Sequence, residues 1–143
     1  MAADSLSGWK GEILGAVSQE ENVDVVGAFI EAYNSGDVDR IETLCTDDCE
    51  IAGIRASLEE TSYVGPQAVR RYWADATEIW SERHLDVEEI GARGDDTVIV
   101  RALWRGRGQG SGAQVERQLG FRFRLEGGRI ASFRTFVNAA DAG

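Results

Sequence analysis

The chain has 143 residues, enough for one domain that buries roughly two thirds of its unfolded surface and too few for two. Hydrophobic residues make up 43% and charged residues 28%, the balance of a globular protein and not of a disordered chain. A net charge of −10 excludes nucleic acid and anionic lipid as general partners, because both are polyanions that bind through Lys and Arg.

Residues 1–20 read as an N-terminal arm ahead of a single domain over 21–143. Leu6, Trp9, Ile13, Leu14 and Val17 line one side of a helix. Gly8, Gly11 and Gly15 interrupt it, each at about 1 kcal/mol in a helix interior. The early acidic Asp4, with no basic lead and no unbroken apolar run, gives neither a signal peptide nor a membrane span, so a cytoplasmic protein without membrane association is expected. From Val25, the residues Val25, Val26, Phe29, Ile30 and Tyr33 recur on one helical face, with Asp24, Glu31 and Asn34 turned away. Asn34, Ser35 and Gly36 stop that helix, Gly36 by adopting the left-handed conformation. Asp37 caps a second, short helix that points Ile41 and Leu44 inward. Cys45 and Cys49 flank its end and are expected to be reduced and buried. With a single histidine, His84, they are too few for a closed zinc site, and neither metal nor cofactor is expected.

A short strand follows over 50–54, then a polar loop over 55–64. Pro66 suits the first turn of a helix that runs to about Glu82 and carries Val69, Tyr72, Trp73, Ala76, Ile79 and Trp80 at helical spacing. The remainder reads as strands over 84–90, 97–107, 115–125 and 129–137, separated by turn signals, and three hairpins make an antiparallel sheet. The glycines of GRGQGSG, 106–112, are a hairpin connection: no Lys-Ser/Thr and no helix follow them, as a phosphate loop requires. Helices first and a meander after them give an α+β domain with the helices on one face of a curved antiparallel sheet.

Alternation assigns the faces. Ile51, Gly53, Leu85, Val87, Val98, Val100, Ala102, Trp104, Leu119, Phe121, Phe123, Phe133 and Thr135 point inward, with Arg117 the odd member of an apolar face. By this alternation no carboxylate faces the pocket, and a slip of one residue would turn Glu116 and Gln118 inward in place of Arg117. Arg117 suits an anchor for a carboxylate or enolate at a pocket mouth, or else reaches past its stem into solvent. Tyr33 offers a hydroxyl to a cavity, or is a core tyrosine with a wet tip. Trp73, Trp80 and Trp104 can stack on a ring or simply fill the core, and His84, at a helix-to-strand junction, suits a surface or capping role. On the outer face, arginines 101, 105, 107, 122, 124 and 134 are expected to pair with residues such as Glu88 and Glu116. Ile99, Leu103, Ile130 and Phe136 form an apolar patch there, and a homodimer through this face is expected.

Three motifs together, the NSGD corner with DRIETLCTDD, the helix start YVGPQAVRRYW and the closing FRFRLEGGRIASFRTF, resemble the SnoaL-like branch of the NTF2-like (cystatin-like α+β barrel) superfamily. The resemblance runs from about Asn22 to about Asn138. It implies a cone, a bent sheet wrapped around the first helix with an apolar pocket inside, and sheets that dimerise back to back. It leaves activity open, because the superfamily includes isomerases, cyclases, epoxide hydrolases and proteins with no reaction. The position of the ketosteroid isomerases' helix tyrosine holds Phe29, that of their general-base aspartate Gly53, and that of their second oxyanion donor Leu119. The aspartate that follows the last-strand arginine in limonene epoxide hydrolases falls on Thr135, after Arg134. The expected protein therefore binds a small hydrophobic compound, polyketide- or terpenoid-like, and isomerises, cyclises or hydrates it. Phe29, Tyr33, Trp73, Trp104, Arg117, Phe121, Phe133 and Thr135 are its expected pocket residues, with no catalytic residue assigned. The alternative is a non-catalytic binding or dimerisation module, and a connected cavity of a few hundred Å³ between the first helix and the sheet discriminates the two.

Overall fold

The computed structural model describes residues 18–54 and 60–143, so the arm expected over 1–20 lies almost wholly outside the described residues, as does the first half of the expected polar loop. Helix α1, Gln19–Ser35, starts at a capping box: the Ser18 hydroxyl accepts from the Glu21 amide, and the Ser18 amide donates to the Glu21 carboxylate, both at 3.1 Å. It stops at Gly36, whose φ of 74° is the left-handed conformation that the NSGD corner predicts. Asp37 then accepts from the Arg40 amide and opens helix α2, Val38–Leu44, with Ile41 buried. Both helices lean on the sheet through the α1 face that carries Val26, Phe29, Ile30 and Tyr33.

After α2 come strands β1, Cys45–Ile54, and β2, Glu60–Val64, then helix α3, Ala68–Ile79. Strands β3, Trp80–Arg93, β4, Thr97–Gly108, β5, Gln114–Glu126, and β6, Arg129–Phe136, complete one curved, unclosed sheet of order β2-β1-β6-β5-β4-β3. The α+β expectation holds, with two strand assignments revised. Strand β2 pairs with the sheet where a polar loop was expected; its apolar signal is confined to Tyr63 and Val64, too short to read as a strand alone. Helix α3 ends at Ile79 and not near Glu82, because Trp80 already pairs with Gly108 of β4, and this long-range pairing overrides helical spacing.

The sheet is also not wholly antiparallel, since β1 and β6 run parallel. A tight hairpin forces antiparallel pairing, whereas most of the chain separates these two strands and leaves the direction free. A further revision concerns Ile130, placed by alternation on the outer face and found 0% exposed. A bulge between Arg124 and Leu125 of β5 shifts the register with β6, so Ile130 pairs with inward-facing Leu125. Val87, read as inward, is paired with Ala102 on β3, an edge strand, and is 42% exposed.

Asn34 does not turn away from the core as the helical face predicts. Instead it clips α1 to the sheet: its amide donates to the Leu85 carbonyl at 3.0 Å and its carbonyl accepts from the Leu85 amide at 2.8 Å. A polar residue on the helix flank thus takes the place of a missing strand neighbour for edge strand β3. At the other end of α1, Gln19 and Asn22 bind the carbonyls of Gly94 and Asp95 in the β3–β4 turn, at 2.8 and 2.9 Å. Cys45 and Cys49 are free and buried.

On the outer face, exposed pairs such as Arg101 with Glu89 at 3.3 Å and Arg124 with Glu126 at 2.8 Å replace a purely apolar patch. Each contributes roughly 0–1 kcal/mol in water. Glu88 pairs with Arg101 as expected, at 3.8 Å, whereas Arg105 turns to Asp86 and not to its cross-strand neighbour Glu116. A C-terminal 3-10 turn, Ala139–Ala142, lies on β5 with Ala142 buried, and Arg122 donates to the Ala142 carbonyl at 3.0 Å. Gly120 admits this turn, because a Cβ there would sit 2.8 Å from the Ala139 backbone.

Candidate ligand pocket

A cavity of about 630 Å³ opens between α3, the end of α1 and the inner face of the sheet. Its volume falls within the roughly 300–1,000 Å³ of small-molecule sites. Every layer contributes to its wall. Tyr33 comes from α1, Gly53 and Tyr63 from β1 and β2, and Trp104 from β4. Arg117, Leu119 and Phe121 come from β5, and Thr135 from β6. Of the residues predicted from sequence, Tyr33, Trp104, Arg117, Phe121 and Thr135 border this one space.

The pairing settles the register left open at β5. Arg117 stands opposite Trp104 on the inner face, while Glu116 and Gln118 stand opposite Arg105 and Leu103 on the other. Phe121 stands opposite Thr135, which joins the two strands across the cavity floor. The remaining three predicted residues lie elsewhere. Phe29 sits one turn deeper on α1 than Tyr33 and packs at 5.2 Å against both Phe123 and Phe133, inside the core. Trp73 meets Tyr33 edge-on at 5.6 Å and borders a second, more open hollow of about 1,060 Å³ on the far side of Tyr33.

Two polar contacts fix the wall. The Trp104 indole N–H donates to the Tyr33 hydroxyl oxygen at 3.0 Å, and Gly106 leaves room for that indole, since a Cβ there would lie 2.3 Å from the ring. Burial pushes the Tyr33 hydroxyl above the ordinary tyrosine value of 10.0, so it stays protonated, and it also hydrogen-bonds with Tyr72. Burial raises Tyr72 likewise. Across the cavity, the Tyr63 hydroxyl donates to Asp75 Oδ2 at 2.6 Å. Among the described residues no group of three His, Cys, Asp or Glu side chains is placed to hold a metal ion.

Asp75, Glu78 and Arg83 border the cavity and were not among the predicted residues. Asp75 and Glu78 overturn the expectation that no carboxylate faces the pocket: strand alternation cannot place an acid that a helix carries. On α3, Asp75 lies three residues after Tyr72 and four before Ile79, so it shares their helical stripe, and the 3.6-residue period already held that signal. Arg83 was hidden differently. With the helix ending near Glu82 it has no face, whereas a strand starting at Trp80 places Arg83 two residues before inward Leu85.

The SnoaL-like domain family matches residues 26–133, in agreement with the resemblance of the NSGD corner and the closing strands. No curated protein matches the chain. Among solved structures, a candidate SnoaL-like polyketide cyclase from Jannaschia is similar, at a TM-score of 0.71 and 19% identity over 88% of this chain and 90% of that one. An epoxide hydrolase/cyclase-like enzyme of pyran ring formation in the polyether salinomycin matches at 0.70 and 21%, over 82% and 90%. A hypothetical protein of ketosteroid isomerase-like fold from Catenulispora acidiphila, in complex with trimethylamine, matches at 0.70 and 17%, over 79% and 84%. At these identities the likeness establishes the fold alone.

Proposed function

Since the chain belongs to the SnoaL-like domain family, we propose that its cavity binds a small, largely apolar ring compound, polyketide- or terpenoid-like, and moves a proton on it. The observation that carries this reading is the cavity itself, walled by Tyr33, Trp104, Phe121 and Thr135 and bordered by a carboxylate, Asp75, already hydrogen-bonded by Tyr63. A carboxylate beside an apolar wall takes a proton from a C–H next to a carbonyl, and the electron pair moves to the carbonyl oxygen as an enolate. Where a C=C is conjugated with the enolate, return of the proton to its far carbon is an isomerisation; attack of the enolate carbon on a second carbonyl is a cyclisation, and the alkoxide so formed takes the proton back from Asp75. Tyr33, Thr135 and Arg117 are the proposed polar contacts.

Binding is tested with 1-N-phenylnaphthylamine, a neutral apolar probe whose fluorescence rises out of water. Saturable binding to the wild-type chain, lost in Ala76→Trp, which fills the cavity from α3, is the expected result. Equal binding by both proteins would place the probe elsewhere and remove the reading. A second, non-catalytic reading is favoured by one observation: the positions of the better-known relatives' catalytic groups hold Phe29, Gly53, Leu119 and Thr135.

Assembly as a homodimer through the outer sheet face is a separate proposal. It rests on Leu103 and on Phe136, the latter flanked by the Arg122 and Arg134 guanidinium groups at 5.3 and 5.4 Å from its ring. Light scattering on the eluting protein is expected to give twice the 15.6 kDa chain mass, and a single species of 15.6 kDa at micromolar concentration would end the proposal.

A further inference from the structure

Among the described residues Arg83 is the one cation bordering both hollows, and it stands between them together with Tyr33 and Val115. Its neighbours of like charge are neutralised or wet. Arg105 pairs with Asp86, as does His84 at 3.0 Å, and Arg107 lies 3.7 Å from Glu82. Arg117 is exposed, so water screens it. Arg83 is half-buried, and among the described residues no carboxylate pairs with it. Its guanidinium lies 4.1 Å from the centre of the Trp73 ring and 5.9 Å from that of Tyr33. Nη2 donates to the Thr77 hydroxyl at 3.1 Å, and Nη1 is buried without any acceptor.

A charge taken out of water and left without a counter-ion is the costly state of an arginine. Aromatic faces offset part of that cost. They supply no counter-charge, however, and the side chain borders the cavity, so the site is half an ion pair. Resting on the pocket reading above, we propose that the natural ligand is a ring compound bearing a carboxylate, and that Arg83 is the residue that recognises it. The apolar body lies against Trp104 and Phe121, and the carboxylate takes the Arg83 end of the cavity. Asp75 and Glu78, on the exposed flank of α3, then select for orientation, since a carboxylate turned toward them meets like charge.

The test compares 2-naphthoate with its neutral isostere 2-naphthamide, each titrated calorimetrically at low ionic strength. Wild type is expected to bind the carboxylate about tenfold more tightly or better, the difference shrinking as salt is raised. Arg83→Gln is expected to bring the two affinities to within about threefold of each other by weakening the carboxylate alone. The wild-type pair decides whether a carboxylate is preferred even where Arg83→Gln fails to fold, and Arg83→Lys, which keeps the charge but not the planar fork, tests the anchor a second way: it is expected to retain part of the preference. Equal affinities for the two ligands would overturn the carboxylate inference and leave the pocket reading intact. Binding of phenylnaphthylamine with neither naphthalene bound would overturn it too, whereas no binding of any of the three would remove both. A preference that survives Arg83→Gln in folded protein would move the anchor away from Arg83.

Discussion

Phe29→Ala is expected to destabilise the domain by about 3–5 kcal/mol, read as a fall in the urea midpoint with an unchanged slope. Phe29 is 2% exposed and meets Phe123 and Phe133 edge-to-face, while those two rings stack on each other at 5.5 Å. Truncation removes two aromatic contacts and leaves a hole that α1 and the sheet cannot close, because the capping box and Asn34 hold both ends of the helix. Against a typical total of about 5–15 kcal/mol, that is a large share of the fold. The result also bears on function. Phe29 occupies the position of the ketosteroid isomerases' donor tyrosine, and here that position is core. Phe29→Tyr is correspondingly expected to destabilise, since it places a hydroxyl within an apolar trio. A loss below about 1 kcal/mol on Phe29→Ala would show instead that the residue borders the cavity, as its place in the family suggests.

The parts of the fold legible in the sequence are those that local chemistry decides. Gly36 can end a helix because it has no Cβ, and Asp37 can begin one because its carboxylate reaches a free amide, so the α1–α2 corner follows from four residues. Where two distant segments decide, the sequence was silent. The parallel pairing of β1 with β6, the bulge that turns Ile130 inward and the pairing that starts β3 at Trp80 all depend on a partner strand that no local pattern announces. The site divides the same way. Trp104, Arg117, Phe121 and Thr135 followed from period-two alternation, which the register preserves. Arg83 depended on the boundary between α3 and β3. Asp75 is legible in the helical period, one turn from Tyr72 and from Ile79, and strand alternation has no place for it.

That acid carries the larger effect. Asp75→Asn is expected to slow deuterium exchange at the carbons flanking a bound cyclic ketone, such as 2-tetralone in D2O, by about 10²–10⁴-fold relative to wild type. The substitution is close to isosteric, and the amide oxygen still accepts the Tyr63 hydroxyl, so the hydrogen bond at 2.6 Å and the wall it belongs to survive while the basic lone pair does not. Phenylnaphthylamine binding is therefore retained, which separates loss of chemistry from loss of the pocket. Tyr63→Phe removes the hydrogen-bond donor and leaves the carboxylate in place, and is expected to change the rate far less than Asp75→Asn does. Exchange in Asp75→Asn at the wild-type rate would remove the residue from the chemistry. Exchange in wild type no faster than in buffer, with the probe still bound, would leave the cavity as a binding site whose Asp75 serves only to hold Tyr63, and the non-catalytic reading would then stand.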